Sequence, residues 1–500
     1  MTGVIPPRTA ILQQVAQDPF DVLVVGGGIV GAGIARDAAM RGLRVALVEQ
    51  NDFASGTSNQ SSRLLHGGLR YLAQGRVGLV REASLEKRVV QRIAPHLAQP
   101  LPFLFPTYAQ NPDWKLWQLK IGVKLYDALC GWHNYGSSQW LSAADAMRRT
   151  PGLNNQGLRG AVRYFDGLTN DARLVLDTLR SAAAHSAVIA NRVRLLQARR
   201  DENLWQAELH DRTTDARFTA RAKWIVNATG PWGDQMPQAK IKLRLTKGVH
   251  IVIERGRLPL NDAVVMTKRR RILFAIPWGE RVIVGTTDTD HRGPVEAARC
   301  EDADIDYILK VAGDVFPEAR LARDDVRSTW AGLRPLVADK NGAPSDASRS
   351  HHIEVTREGW LDVGGGKLTT YRLMAEEAVD TLLRADRRRA GPCRTAEEPL
   401  LPDAADAAAS AIVPPPVSKQ LVDHYCTREW ATCLEDVMIR RTSWHHYLAD
   451  PSRAAAQVAQ WMGEHLRWSA AEVGEAVRRY TVAVGSAVSD RPREEAAPCP

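Results

Sequence analysis

The chain has 500 residues, 44% of them hydrophobic, enough to bury a large core and to divide into two or three domains. Lys plus Arg number 66 against 57 Asp plus Glu, and the resulting +9 suits an anionic substrate, an anionic membrane face or nucleic acid. No RNA-recognition, zinc-finger or helix-turn-helix signature supports the last, so no nucleic-acid partner is expected.

The opening stretch MTGVIPPRTAILQQ lacks the continuous apolar run of a signal peptide. The longest apolar run, VLVVGGGIVGAGIA (22–35), is too short and too rich in glycine to span a bilayer. A soluble or peripheral protein is expected. The six cysteines are scattered without a C-x-x-C pair, which argues against a disulfide framework and a zinc site and favours a reducing, cytoplasmic compartment.

The first chemistry-bearing element follows at once. DVLVV (21–25) predicts a strand, GAGIARDAAMRG a helix and RVALVEQ (44–50) a second buried strand, together a βαβ unit. Gly26, Gly28 and Gly31 complete G-x-G-x-x-G at the turn. The first makes the tight turn, the second admits a pyrophosphate and the third lets helix and strand pack closely. The N–H groups and positive end of the helix favour an anion there. Glu49 ends the second strand, where a carboxylate accepts hydrogen bonds from a ribose. These residues predict a dinucleotide, NAD or FAD.

The stretch SGTSNQSSRLLHGGLRY (55–71) supplies small hydroxyl residues and glycines suited to wrapping a bulky ring system. AKWIVNATGPW (222–232) reads as a buried strand closing at Gly230, and with the N-terminal glycine motif it favours FAD. Alternating runs between 241 and 290 (HIVIE, ILFAIPW, RVIVGTT) predict an antiparallel sheet inserted into the α/β domain. GGGK (364–367) is not a phosphate-binding P-loop, because Leu361 and Leu368 occupy its required Gly and Ser/Thr positions. Gly365 and Gly366 instead predict a helix N-terminus. Composition turns polar and rich in Ala and Pro from 381 to about 416, and helical spacing resumes over 417–485.

The predicted fold is α/β. A discontinuous Rossmann-like FAD-binding domain takes 18–100, 165–235 and 345–385. An antiparallel substrate-binding or cap domain takes 101–164 and 236–344. A linker over 386–416 leads to an α-helical C-terminal domain over 417–490.

VGGGIVGAGIARDAAMRG (25–42), TSNQSSRLLHGGLRYL, NATGPW, KGVHIVI, IPW, GTTDTD, GLRPL, GGKLTTYRLMA (365–375) and EWATCLEDVMIRRT occur in an order that resembles the FAD-dependent, respiratory glycerol-3-phosphate dehydrogenases. The resemblance covers roughly residues 20–385 and, more loosely, the helical tail. Arg63 stands where Lys is as common, and the first 18 residues and the linker have no counterpart. It implies FAD held by Gly26, Gly28, Gly31, Glu49, Thr57, Ser58, Ser62, Arg63, His66, Gly67, Gly230, Gly366 and Leu368. It implies glycerol 3-phosphate bound by Arg70, Tyr71, Arg334, Arg349 and Lys367, with the two glycines of HGGLRY (66–71) bringing backbone beside the flavin ring. The reaction implied is hydride transfer from C2 to the flavin, giving dihydroxyacetone phosphate.

Lys367, His66 and Arg334 are the catalytic candidates: the cations stabilise alkoxide character, and Lys367 or His66 could take the proton. Electrons would pass to ubiquinone or menaquinone from a homodimer lying on the cytoplasmic face of the inner membrane. A soluble oxidase that makes hydrogen peroxide and a non-catalytic flavin-binding relic are the alternatives.

Residue types alone leave His250 open between a structural and a catalytic role. The pairs His351–His352 and His445–His446 read as surface residues, and no metal is expected. Trp114, Trp117 and Trp132 read as core, although DWKLWQLKIGVKLYDALCGW (113–132), with its three lysines, is also the candidate membrane contact.

Overall fold

The computed structural model describes residues 4–111, 113–131, 134–269, 271–337 and 351–485. Arg349 and Trp132 lie outside the described residues, as does the side chain of Arg70.

Strand Pro19–Val25 is buried from Val22 onward, as a strand covered on both faces must be. It pairs in parallel with Val45–Val48 on one side and with Arg217–Asn227 on the other. Helix Ile29–Met40 crosses between the first two strands and packs against helices Asp171–Ala184 and Tyr371–Ala385. The eight-stranded sheet runs His351–Arg357, Trp360–Gly365, Arg217–Asn227, Pro19–Val25, Val45–Val48, Val188–Ala190, with the hairpin Val193–Asp201 and Leu204–Asp211 on its flank.

Among the described residues the second sheet has ten strands and is antiparallel except where Ala263–Lys268 lies parallel to Gln99–Tyr108. Its long pair, Leu243–Glu254 with Val326–Val337, sets His250 opposite Trp330 and Thr246 opposite Arg334. Leu64–Leu65 pairs into this second sheet through Leu168 and Gly167, although it lies within the segment assigned by sequence to the FAD-binding domain.

The C-terminal helices Lys419–Arg428, Pro451–Leu466 and Ala470–Gly485 surround a core of their own that includes Val422, Tyr425, Met438, Trp444 and Met462. They are fastened to the region of the eight-stranded sheet by buried ion pairs. Arg173 grips Glu429 with two bonds of 2.5 and 2.8 Å, and Arg192 grips Asp436 at 2.7 and 2.9 Å. Asp52 accepts from both Arg440 and Arg441. The segment 386–416 is no loose tether: Arg36 donates to the Thr395 and Glu398 carbonyls, and the buried Trp278 indole donates to the Ile412 carbonyl at 2.8 Å. The His445–His446 pair is a correction to the surface reading, since His446 is buried with its Nδ1 2.6 Å from Ser328 Oγ.

Two features generate tests. A Cβ on Gly31 would stand 1.9 Å from the Gly26 carbonyl oxygen, whereas one on Gly28 would meet only Ser58 Oγ at 3.2 Å. Gly31→Ala should therefore force helix and strand apart and yield little folded protein. Gly28→Ala should fold with a near-parental melting temperature but hold less flavin, read as flavin absorbance per protein.

The second test concerns Glu429. Burial alone would raise its carboxyl, but Arg173 overrides this and holds it well below the usual carboxylate range. Its contribution is complete above the ordinary carboxylate pKa and fades only in strong acid. Glu429→Gln removes the carboxylate that Arg173 and Arg180 share and leaves Asp177 as the remaining partner of the buried Arg173, so denaturant titration should show a loss of about 3 kcal/mol.

Candidate active site

A cavity of about 680 Å³ runs from the glycine turn to the junction of the two sheets. At its first end Gly28 caps helix Ile29–Met40, so the helix N-terminus opens toward the cavity. Gly26 has φ +113°, and a Cβ there would strike the Ala228 carbonyl at 2.5 Å. The Glu49 carboxylate accepts N–H bonds from Gly27 at 2.7 Å and Asn51 at 2.8 Å. Burial pushes this carboxyl above its usual range, against the pull of those two donors. Each oxygen keeps a lone pair for a hydroxyl donor such as a ribose diol. Gly230, at φ +59°, lines the cavity with nothing within 4 Å of where a side chain would begin. Open glycines, a helix N-terminus and a buried carboxylate form a set that fits a dinucleotide.

The hydroxyl-rich loop forms the middle of the wall, tied down by its own side chains. Thr57 donates to the Leu333 carbonyl at 2.6 Å, Ser58 Oγ accepts from Ile29 N–H at 3.0 Å, and Ser62 Oγ lies 2.8 Å from His250 Nε2. A Cβ on Gly332 would meet the Gln60 carbonyl at 2.7 Å, so the loop sits flush against the strand that carries Arg334. Arg63 departs from the expected cofactor contact. Its side chain is fully buried away from the cavity, with the guanidinium 4.4 Å from the Trp278 ring and 5.3 Å from Trp330, donating to Ser443 Oγ at 3.0 Å.

HGGLRY also departs from expectation. Gly67 does not line the cavity: its N–H donates to the Tyr126 hydroxyl at 2.8 Å, and a Cβ would stand 2.5 Å from that oxygen. A Cβ on Gly68 would strike the Tyr71 ring at 2.4 Å. The two glycines therefore make room for two tyrosines. Tyr71 is buried and does not line the cavity; its ring lies 4.3 Å from Lys367 Nζ, and Lys367 does. His66 faces the cavity, and its N–H donates to Thr369 Oγ1 at 3.0 Å, joining this loop to GGGKLTT. Gly366 (φ +79°) and Leu368 line the same end. One 3-10 turn, Leu368–Thr370, separates these glycines from helix Tyr371–Ala385.

Arg334 reaches the cavity along strand Val326–Val337, and its guanidinium donates to Thr286 Oγ1 at 3.0 Å and to Asp288 at 3.2 Å. A Cβ on Gly248 would stand 2.3 Å from Arg334 Nη2. Gly248, Thr286, Thr287 and Asp288 are site residues that residue-type reasoning missed. A glycine inside the strand run KGVHIVI was the available signal of such a close approach. His250 is buried in the wall, and its Nδ1 has no hydrogen-bond partner among the described residues. Burial, with Arg334 and Arg63 nearby, pushes its pKa down to about 3, so the imidazole is uncharged at neutral pH. Among the described residues no cluster of His, Cys, Asp and Glu could hold a metal ion.

Residues 21–380 match the family described as FAD dependent oxidoreductase. The chain is 39% identical over 401 residues to a glycerol-3-phosphate dehydrogenase of Mycobacterium leprae, covering 79% of this chain and 68% of the relative. It is 37% identical to an aerobic glycerol-3-phosphate dehydrogenase of Staphylococcus aureus, covering 78% and 72%. A solved glycerol-3-phosphate dehydrogenase from Bacillus halodurans, complexed with FAD, superposes with a TM-score of 0.80 at 28% identity over 99% of this chain and 100% of that one. An FAD-bound L-alpha-glycerophosphate oxidase from Mycoplasma pneumoniae shares the fold, with a TM-score of 0.60 at 20% identity over 75% and 97%. With its glycine turn, buried carboxylate and cation-bearing cavity in one α/β frame, the chain belongs to the FAD-dependent glycerol-3-phosphate dehydrogenase family.

Proposed function

We propose that the enzyme oxidises sn-glycerol 3-phosphate to dihydroxyacetone phosphate in this cavity and passes the electrons to a membrane quinone. The observation that carries the reading is that one continuous cavity joins the dinucleotide end to Arg334 and Lys367. FAD, when bound, supplies the hydride acceptor. Arg334 offers a planar fork matched to a phosphate or an oxyanion. Lys367, set above the Tyr71 ring, brings positive charge to where alkoxide character develops. The uncharged His250 holds the Ser62 hydroxyl at 2.8 Å through Nε2 and so fixes that polar group in the cavity wall. Arg70 and Arg349 remain part of the proposed phosphate grip.

The quinone half of the proposal draws support from helix Leu116–Leu129. Its inner face, Leu119, Val123 and Tyr126, is buried. Its outer face exposes Trp117 (59%), Ile121 (62%) and Leu125 (43%), one helical turn apart, beside Trp140 (63%). Trp117 is therefore no core residue. Lys120 Nζ sits 4.1 Å from the Trp140 ring, so cation and aromatic share the patch, as a helix lying in an anionic lipid interface requires. No described helix is long and apolar enough to cross a membrane. We place the enzyme peripherally on the cytoplasmic face, with this stripe inserted.

Two measurements test the proposal. Anaerobic glycerol 3-phosphate should bleach the flavin band of the purified protein, and Arg334→Ala should weaken the half-saturating concentration by an amount equivalent to about 1.5–3 kcal/mol. An unbleached parent overturns the reaction, and an unchanged half-saturation in the variant removes Arg334 from substrate binding. In the second, the parent should pellet with anionic vesicles, and replacing Trp117, Ile121 and Leu125 by Ser together should leave it in the supernatant. A triple variant that still pellets but changes from dimer to monomer would reassign the stripe to a contact between copies. Brisk peroxide formation with no vesicle binding would favour the oxidase.

A further inference from the structure

Arg63 and Ser443 meet in a contact whose two backbones are both left-handed, at φ +56° and +59°. Neither is glycine, and side chains are rarely held in that region, so what these two do is informative. Ser443 Oγ accepts from Arg63 Nη2 at 3.0 Å, and Arg63 lies against Trp278 and Trp330. Three residues on, His446 bonds Ser328 of strand Val326–Val337 at 2.6 Å, and its ring centre lies 5.1 Å from that of Trp330. Trp330 in turn stacks on His250, at 5.3 Å and 23° between planes, and donates its indole N–H to the Ser61 carbonyl. His250 Nε2 then meets Ser62 in the cavity wall. A row of three rings, His446, Trp330 and His250, thus runs from the C-terminal helical region to the cavity.

We propose that the Ser443–His446 corner is a positioning element of the active site, holding the His250 ring on Ser62 through Trp330 and Arg63. This rests on the reading of the cavity as the oxidation site and gives the C-terminal helices a part in that reaction. The corner does two things: it fixes the plane of the imidazole, and it seals the stack from water. Burial, with Arg334 from the neighbouring strand and Arg63 from the loop nearby, keeps His250 uncharged, and burial, with His445 and Arg63 nearby, does the same for His446. If the stack loosens, water reaches His250 and its affinity for a proton rises toward that of an ordinary histidine.

The test compares holoenzyme carrying Ser443→Ala, His446→Asn or His446→Phe with the parent. Asn keeps a polar atom for Ser328 and loses the ring, whereas Phe keeps the ring on Trp330 and loses the bond. Ser443→Ala and His446→Asn should retain flavin and an unchanged KM, lose roughly tenfold in kcat, and lose activity at a pH about one unit higher on the acid side. His446→Phe should stay near the parent in its pH profile, and it serves as the decisive comparison should His446→Asn fold poorly. Variants that lower the melting temperature while kcat and the pH profile stay parental overturn the positioning role and leave the reaction intact. A parent whose flavin is not bleached by glycerol 3-phosphate overturns both.

Discussion

At the glycine turn the Gly26 carbonyl occupies the space that any side chain at position 31 would need, so helix and strand meet backbone to backbone. That approach aims the helix N-terminus into the cavity. It also lets the following strand end with Glu49 beside Gly27 rather than a helix width away. The hydroxyl-rich loop then has one place to go, because Ser58 must reach Ile29 N–H while Thr57 reaches the strand that carries Arg334. The position of the cationic end is thus inherited, contact by contact, from a missing methyl group.

The cationic end depends on how charge is shared with aromatic surface. Lys367 lies over Tyr71, and Arg63 lies between Trp278 and Trp330. Lys367 lines the cavity, whereas Arg63 is set back from it and has the Asp171 carboxylate 3.9 Å away as well as the two ring faces. Arg334 also lines the cavity, and there Asp288 shares its charge. Substrate phosphate would compete with that carboxylate, which gives the site a built-in preference for strongly charged ligands.

Local chemistry was legible in the sequence and long-range neighbours were not. The spacing of Gly26, Gly28 and Gly31 and the position of Glu49 follow from backbone geometry within one βαβ unit, and the structure sets Gly26, Gly28 and Glu49 at one end of one cavity with Gly31 packed on the Gly26 carbonyl. HGGLRY misled because the partner of Gly67 is Tyr126, 59 residues away, and nothing near residue 67 announces a tyrosine hydroxyl. Trp117 misled for a related reason. Helix Leu116–Leu129 is apolar on both faces, and a helical wheel cannot say which face the rest of the protein covers. Arg63 and the pair His445–His446 were misread because the C-terminal helices that bury them were visible only as helices, without a docking site.

The manner in which those helices are fastened separates two kinds of electrostatics within one molecule. Arg173–Glu429, Arg192–Asp436 and the Asp52 pairs are closed off from solvent on their acidic side. Dissolved ions cannot enter to screen them, whereas the lysines around Trp117 and Trp140 stand in water and feel every change in salt. Ionic strength therefore acts as a selective solvent variable. Raising it weakens any attraction between those lysines and a charged surface while the joint between the C-terminal helices and the nucleotide-binding sheet stays closed.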